Sequence, residues 1–382
     1  MSGSLIRVLI VDDSVVIRRL IKEILDADPR IEVVGVAHNG QVAIGKVEEL
    51  KPDAVTMDIE MPVMNGVDAV RALRKTHPRL PIVMFSTLTE RGASATMDAL
   101  AAGASDYVTK PANVGSVMES RKNISEQLVP KLVALTGARK VVGVARAPMP
   151  PPQPPAGQSR ASGTTRRTQP FGLLAIGSST GGPDALATVL SALPGELPVP
   201  VVITQHMPPV FTKMLAQRLN STCKLSISEA AEGDSVERGK VLIAPGGLHM
   251  ELKTRGTGVF VHLSDAPPEN FCRPAVDVMF RSVAAVYRNR VLAVVLTGMG
   301  KDGALGAGVI RAAGGEVFAQ DEATSVVWGM PGATVMAGQA DRVLPLEQMA
   351  GTVTSALSAN QGAGQSGSTR QANGPVPGGV RA

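Results

Sequence analysis

The 382-residue chain has little cysteine, few aromatic residues and no long apolar run, and each shortage excludes a class of protein. Two cysteines, Cys223 and Cys272, cannot build a disulfide framework and lack metal-ligand spacing, so both are expected to be reduced structural thiols without a redox role. Aromatic residues make up 3% of the chain, which leaves aliphatic side chains to fill the cores. No apolar run reaches the roughly 20 residues of a membrane-spanning helix, and the run from Leu5 to Val11 ends in Asp12-Asp13 without a cleavage-type segment. The expectation is a cytoplasmic protein with no membrane insertion.

What the chain does contain is 40 glycines within a composition that is 44% hydrophobic and 19% charged, the signature of aliphatic α/β layers joined by tight turns. At roughly 100–200 residues per domain, its length gives two or three domains. The net charge of +5 raises the question of nucleic acid, and its distribution answers it. Residues 127–183 carry +7 with no acid and residues 359–382 carry +2, which leaves −4 for the remainder. No folded face needs to be basic, and no nucleic-acid partner is expected.

From Leu5 to about Ser120, short aliphatic runs alternate with amphipathic stretches. Ile6–Val11, Ile31–Ala37, Asp53–Met57, Pro81–Phe85 and Asp106–Thr109 read as strands. The clearest helix follows the N-cap Ser14, puts Ile17, Leu20, Ile21, Ile24 and Leu25 on one face and stops at Asp28-Pro29. Such βα units predict a doubly wound parallel sheet, a (βα)5 domain over residues 1–125. Residues 126–170 read as a linker, rich in Pro and Arg from about 139 and centred on Pro148–Pro155. A second βα series over 171–358 has strands at Phe171–Ile176, Val199–Thr204, Val241–Ile243, Val291–Thr297 and Glu316–Ala319. Met250–Leu263 turns at Arg255-Gly256-Thr257-Gly258 and reads as a β-hairpin, which predicts a Rossmann-like, mostly parallel but mixed sheet. The Gly-, Gln-, Ser- and Asn-rich tail 359–382 is expected to be disordered.

Working residues of an open α/β sheet collect at the carboxyl ends of its strands. In the first series those ends carry Asp12 and Asp13, Asp58, Ser86, and Lys110-Pro111. Three converging carboxylates suit a hard divalent cation such as Mg²⁺, which offsets their mutual repulsion. With a hydroxyl and an ammonium on the same rim, Asp58 is equipped to accept a phosphoryl group. The local alternative is that Asp12 and Asp13 cap the helix at Ser14 and Asp58 opens a turn. On these residues the segment 5–120 resembles a response-regulator receiver domain. The resemblance implies Asp58 as phosphoacceptor and Asp12, Asp13 and the Glu60 backbone carbonyl as Mg²⁺ ligands with Asp58. It further implies Ser86 as switch hydroxyl, Tyr107 as switch aromatic, and Lys110 as phosphate contact before a cis Pro111.

In the second series, Phe171–Ile176 runs into Gly177-Ser178-Ser179-Thr180-Gly181-Gly182, and Pro183 opens the next helix. Gly177-x-Ser179-x-Gly181 fits a nucleophile elbow, in which small neighbours let a strained serine project while helix N-terminal amides stabilise negative charge. The rival is a phosphate- or dinucleotide-binding loop, which needs Asp or Glu at the end of the next strand; that strand ends in Gln205-His206. His206 is placed to serve as general base, and Asp302, after Val291–Leu296, to orient it; alone, Asp302 could merely cap the helix starting near Ala304. The order Ser, His, Asp differs from that of the α/β-hydrolases.

Residues 171–350 resemble the catalytic domain of the chemotaxis protein-glutamate methylesterases, the CheB family. The resemblance rests on Ile176–Gly182, Thr204-Gln205-His206-Met207-Pro208, Ala244-Pro245-Gly246-Gly247, Arg273-Pro274-Ala275-Val276-Asp277 and Leu296–Gly303. It implies Ser179 as nucleophile, His206 as general base and Asp302 as orienting acid, with backbone N–H groups near Thr180 and Met299 as oxyanion donors. Ser178 replaces the family's usual alanine and offers a second hydroxyl; the elbow register favours Ser179. The implied activity is demethylation of γ-glutamyl methyl esters and deamidation of selected glutamines on methyl-accepting chemoreceptors, with no cofactor for the hydrolase step and Mg²⁺ for the receiver. A CheA-type histidine kinase is the implied phosphodonor, receptor arrays the place of recruitment, and an unphosphorylated receiver docked over the cleft the means of control. Against this stand a receiver-coupled nucleotide-binding protein without hydrolase activity and a DNA-binding response regulator, the latter lacking any helix-turn-helix pattern.

Overall fold

Buried aliphatic runs bounded by turn residues pair as parallel strands, and here they form two sheets. A computed structural model describes residues 5–110, 117–142 and 169–359. Pro111, the Pro-rich part of the linker and the tail beyond 359 lie outside the described residues. The first unit runs β1 (Ile6–Val11), α1 (Val15–Asp26), β2 (Ile31–Ala37), α2 (Gly40–Leu50), β3 (Ala54–Asp58), α3 (Gly66–Thr76), β4 (Ile82–Ser86), α4 (Glu90–Ala101), β5 (Asp106–Thr109) and α5 (Val117–Val142). Its strands lie in the order β2-β1-β3-β4-β5, all parallel. The order reverses between β1 and β3, so a crevice opens at their carboxyl ends, where Asp12, Asp13 and Asp58 stand. Ser14 caps α1 through Ile17 N, and Ile21, Ile24 and Leu25 are buried as the periodicity predicts. Helix α5 continues past residue 125 to Val142.

The second unit runs β6 (Leu173–Ser178), α6 (Gly182–Ala192), β7 (Val201–Gln205), α7 (Phe211–Thr222), β8 (Ser226–Glu229), β9 (Lys240–Ile243), β10 (His249–Arg255), β11 (Gly258–Ser264), α8 (Val276–Tyr287), β12 (Val291–Val295), α9 (Ala304–Ala312), β13 (Glu316–Gln320), α10 (Met330–Met336), β14 (Arg342–Leu344) and α11 (Leu346–Ser358). Its seven-stranded sheet, in the order β14-β13-β12-β6-β7-β9-β8, is parallel throughout. The expectation of a mixed sheet is corrected here: β10 and β11 form a separate two-stranded antiparallel sheet. The reason is that β9 is paired on both sides, by β7 and β8, while the hairpin covers its apolar side by packing β10 on α8. From β6 the chain proceeds first toward β7 and then returns to β12 on the other side. The resulting switch point gathers the ends of β6, β7 and β12 into one cleft.

The two units pack on each other. Helix α4 lies against α7, and Tyr107 at β5 stacks on Phe211 at the start of α7, with ring centroids 4.7 Å apart and an interplanar angle of 4°. Arg218 of α7 pairs with Asp98 of α4 at 2.9 Å, and Lys213 with Glu90 at 3.5 Å. Both pairs are solvated and contribute little beside the apolar contact. Among the described residues no helix is long and apolar enough to cross a membrane.

Candidate functional site

The first site lies at the switch point of the N-terminal sheet. Carboxylate oxygens of Asp12, Asp13 and Asp58 lie within 4.8 Å of one another. Lys110 at the end of β5 reaches in, its Nζ 2.8 Å from Asp58 Oδ1 and 3.2 Å from Asp12 Oδ2. Burial is the largest influence on Asp58 and, with the neighbouring charge of Asp12, pushes its carboxyl up to about 6 against the opposing pull of Lys110. Asp12 is likewise raised by burial, opposed by Lys110. Asp12 Oδ1 accepts from Ser14 N, whereas Oδ2 is buried and accepts no hydrogen bond, facing Lys110 Nζ only as an ion pair at 3.2 Å. A buried carboxylate oxygen without a donor, beside two further carboxylates, is the environment of a hard cation, so the residues fit Mg²⁺.

The other residues expected at this site divide. Ser86 Oγ turns toward α4, donating to Gly92 O (3.0 Å) and accepting from Thr96 Oγ1 (2.6 Å). Tyr107 is buried against Phe211. The side chain of Glu60 pairs with Arg91 at 3.0 Å, which leaves only its backbone carbonyl for a metal.

The second site is built by three strand ends. Across β6 and β7 the register sets Ser178 opposite Gln205, and His206 N donates to Ser178 O (3.1 Å), so Ser179 and His206 leave the sheet side by side. The two adjacent serines have different surroundings. Ser178 is fully buried and its Oγ donates to Gln205 Oε1 at 2.6 Å. Ser179 is partly exposed, and among the described residues its Oγ forms no hydrogen bond. Gln205 Nε2 in turn donates to Ser179 O (2.9 Å) and His206 O (3.3 Å), tying the elbow to the next strand. Gln205 is thus a positioning residue that sequence reading noted only as an absent acid.

Close approach of the flanking turns needs two glycines. Gly181 has φ +76°, in the left-handed region where a Cβ is disfavoured. A Cβ on Gly298 would lie 2.8 Å from Ser179 Cβ and 2.3 Å from Met330 Sδ. Thr297 Oγ1 donates to Thr180 O (3.0 Å), and Thr297 O accepts from Ser179 N (3.1 Å), so the two turns lock together. Among the described residues, neither the Thr180 N–H nor the Met299 N–H donates to any acceptor. Free amides at such turns are available to an anion.

His206 Nε2 meets Asp302 Oδ2 at 2.8 Å. Asp302 is buried and accepts four further hydrogen bonds, from Val276 N (2.6 Å), Asp277 N (3.0 Å), Gly303 N (3.0 Å) and Asn270 Nδ2 (3.0 Å). The expected alternative, capping of the helix from Ala304, takes a different form, since Asp302 binds the first amides of α8 while Gly303 is the N-cap of α9. Burial tends to raise this carboxyl, but His206 and the α8 amides hold it at about 2. Burial tends to lower His206, yet its hydrogen bonds to Asp302 and Cys272 lift it to about 9. The second ring nitrogen, Nδ1, lies 3.4 Å from Cys272 Sγ. Cys272 is thus a neighbour of His206 as well as a free thiol; Cys223 is also free, near Ser191 Oγ.

The second site touches the N-terminal unit through Thr180, whose Oγ1 donates to Asp106 Oδ2 at 2.6 Å. Lys131 Nζ holds the other oxygen of Asp106 at 2.9 Å and donates to Tyr107 O at 2.7 Å. Val327 joins the apolar core of the N-terminal unit and Met299 packs against it.

Comparison with known proteins matches residues 8–121 to the response regulator receiver domain and residues 174–353 to the CheB methylesterase family. The chain is 54% identical to the protein-glutamate methylesterase/protein-glutamine glutaminase of Nocardioides sp., covering 90% of this chain and 93% of that one. It is 47% identical to the protein of the same name from Trichodesmium erythraeum, covering 90% and 97%. The crystal structure of the Thermotoga maritima CheB methylesterase catalytic domain aligns with 44% identity over 48% of this chain and 97% of that chain, with a TM-score of 0.48. With this identity held along both units, the chain belongs to the protein-glutamate methylesterase/protein-glutamine glutaminase family and joins a receiver domain to a CheB methylesterase domain.

Proposed function

We propose that the chain is a phosphorylation-activated serine hydrolase that removes methyl groups from γ-glutamyl methyl esters, and deamidates selected glutamines, on chemoreceptor cytoplasmic domains. The observation that carries this reading is the Ser179 hydroxyl on the strand end next to the His206–Asp302 pair, with neither that hydroxyl nor the Thr180 and Met299 amides bonded among the described residues. Ser179 Oγ attacks the ester carbonyl as His206 takes its proton, and Asp302 holds the imidazole and stabilises its charged form. The Thr180 and Met299 N–H groups receive the oxyanion. His206 then protonates the departing methanol, and water hydrolyses the acyl-enzyme by the reverse proton path. Ester hydrolysis by this route calls for no cofactor. Release of methanol from methylated receptor tests it. Identity over 90% of the chain, across both units, leaves the receiver-coupled nucleotide-binding alternative without support.

In the receiver, Asp58 is the phosphoacceptor, and Asp12, Asp13, Asp58 and the Glu60 carbonyl would hold Mg²⁺. When bound, the cation neutralises the charge of the transferring phosphoryl group. Lys110 contacts the same group, and Ser86 and Tyr107 respond to it. A CheA-type kinase is the donor, and a cytoplasmic protein recruited to receptor arrays is the setting that brings donor and substrate together. The parts are a receiver that includes α5, whose Leu128, Leu132 and Leu135 lie in its core, a linker that follows that helix rather than starting at 126, and a catalytic domain over 171–358. Asp58→Ala is expected to abolish the rise in methanol release produced by a small phosphodonor, and chelation of Mg²⁺ to do the same to wild type.

Docking of the unphosphorylated receiver explains the low resting activity this scheme requires, because Asp106 engages Thr180 beside the oxyanion amides. Phe211→Leu keeps most of the apolar volume and removes the stack on Tyr107. A stacked aromatic pair contributes about 0.5–1.5 kcal/mol, so resting methanol release is expected to rise about 2- to 10-fold. An unchanged resting rate would break the link between this interface and control.

A further inference from the structure

We propose that Phe271 is a substrate-contacting residue that sets affinity for the methylated receptor, its exposed ring packing on apolar side chains beside the esterified glutamate. The proposal rests on the hydrolase reading and names the surface through which that site holds its protein substrate.

Nothing in the fold favours phenylalanine at this position. The side chain is fully exposed, so burial contributes nothing, and its backbone has φ +63°, in the left-handed region that disfavours a bulky side chain. Asn270 before it has φ +51°, which asparagine tolerates far better. The turn is nonetheless held firmly. Glu269 and Cys272 exchange two backbone hydrogen bonds (2.9 and 3.1 Å), and Arg281 clamps the Glu269 carboxylate through two more (2.7 and 2.6 Å). Asn270 Nδ2 donates to Asp302 Oδ1 and to Asp277 Oδ2, both at 3.0 Å. An aromatic ring is thus fixed in solvent by a turn bonded to the orienting acid of the site. Strain of this kind persists where placement is what matters, and the placement here is toward a partner.

The reaction says which partner. Three C–C bonds separate the Cα of an esterified glutamate from its carbonyl carbon, roughly 4 Å when extended. Attack by Ser179 therefore draws the receptor backbone onto the rim of the cleft, and the residues flanking the ester lie on whatever that rim presents. Around Asp302 the rim is apolar. Phe271 follows the Asn270 that bonds Asp302, and Leu305, three residues beyond Asp302, is exposed in the first turn of α9. Val309 is exposed one turn further on the same face. On the serine side Val326 is exposed beside Gly181, where a Cβ would come within 2.6 Å of the Val326 Cβ. Lys301, between Met299 and Asp302, is exposed, and among the described residues its ammonium makes no ion pair or hydrogen bond. Its charge complements the glutamates that the reaction produces. With the receiver docked through Thr180, Val327 and Met299, both Phe271 and Leu305 remain exposed. A receptor segment with apolar residues beside its methylated glutamate is the occupant this rim fits.

The test uses the full chain with phosphodonor and Mg²⁺ and reads methanol release from methylated receptor, Tm and oligomeric state. For Phe271→Gly, KM is expected to rise about 10-fold with kcat nearly unchanged, as when binding common to the ground and transition states is lost. Its Tm is expected to rise by about 2 °C, because glycine adopts φ +63° without a Cβ penalty. Phe271→Leu keeps an apolar side chain and the same backbone strain, and is expected to hold KM within about 3-fold of wild type with Tm unchanged. In the Ser179→Ala chain, which leaves the ester intact, adding Phe271→Gly is expected to weaken receptor binding about 10-fold. Unchanged KM and affinity in Phe271→Gly overturn the proposal. A lowered Tm overturns it too, because the ring then belongs to the fold. Loss of self-association with receptor affinity intact does the same, since the ring would then serve a second copy of the chain. Absence of methanol from wild type overturns the hydrolase reading instead, and the binding comparison in the Ser179→Ala chain still decides the Phe271 contact. A Ser179→Ala chain that does not bind the receptor with Phe271 in place overturns the contact as well.

Discussion

Replacing Ser179 by alanine is expected to lower methanol release from methylated receptor by about 10³-fold or more, whereas Ser178→Ala should retain most of the turnover. The two serines are neighbours of the same chemistry, and their surroundings separate them. Ser178 Oγ is buried and committed to Gln205 Oε1, so attack would break a 2.6 Å bond and leave that amide oxygen without a donor. Ser179 Oγ has no such bond and stands next to His206. Loss of the Ser178 hydroxyl strands a buried acceptor and is expected to cost about 1–3 kcal/mol of stability, read as a lower Tm with kcat nearly intact. A Ser178→Ala enzyme that folds normally and has no activity would reverse the assignment.

Asp302→Asn should lose about 10³- to 10⁴-fold in kcat, the order seen when the orienting acid of a serine triad becomes an amide. An amide offers one oxygen where Asp302 uses both, to five donors. Its NH₂ would therefore face N–H groups of α8 or of His206, and either placement turns the ring or frays the start of the helix. A single measurement separates these causes, since a turned ring lowers kcat at an unchanged Tm. The ion pair also predicts a pH window for stability. Asp302 is held down at about 2, so its contribution is complete above the ordinary carboxylate range and is lost as pH falls through 3.8 toward 2. His206 is held up at about 9, so its contribution is complete below 6.5 and is lost as pH rises toward 9.

Residues whose chemistry shows at strand ends were legible in the sequence. Asp12, Asp58, Ser179, His206 and Asp302 each follow an aliphatic run long enough to mark a strand, Lys110 follows the short β-prone run Asp106–Thr109, and parallel topology then brings the ends together. Strands β1, β2 and β5 match their expected bounds, and β3 and β4 end one residue later than read. Two strands escaped notice: β8 alternates serine with apolar and acidic residues, and β14 is three residues long and half exposed, so neither carries an aliphatic run. The hairpin was legible, but its partner was not, because periodicity marks a buried face without saying whether a helix or a sheet edge covers it. The contacts that Gln205, Asn270 and Cys272 make at the site are not legible for a related reason. Each acts through a contact made across 26 or more residues or through a positive-φ turn, and neither leaves a local pattern.

Phosphorylation of the receiver is expected to control the serine ester hydrolase. Methanol release from methylated chemoreceptor by the wild-type chain, with and without a small phosphodonor and Mg²⁺, tests it most directly. Slow release at rest and a clear rise with the phosphodonor are expected. No methanol under either condition would contradict it, and the Gly177–Gly182 turn would then have to be tested for nucleotide binding.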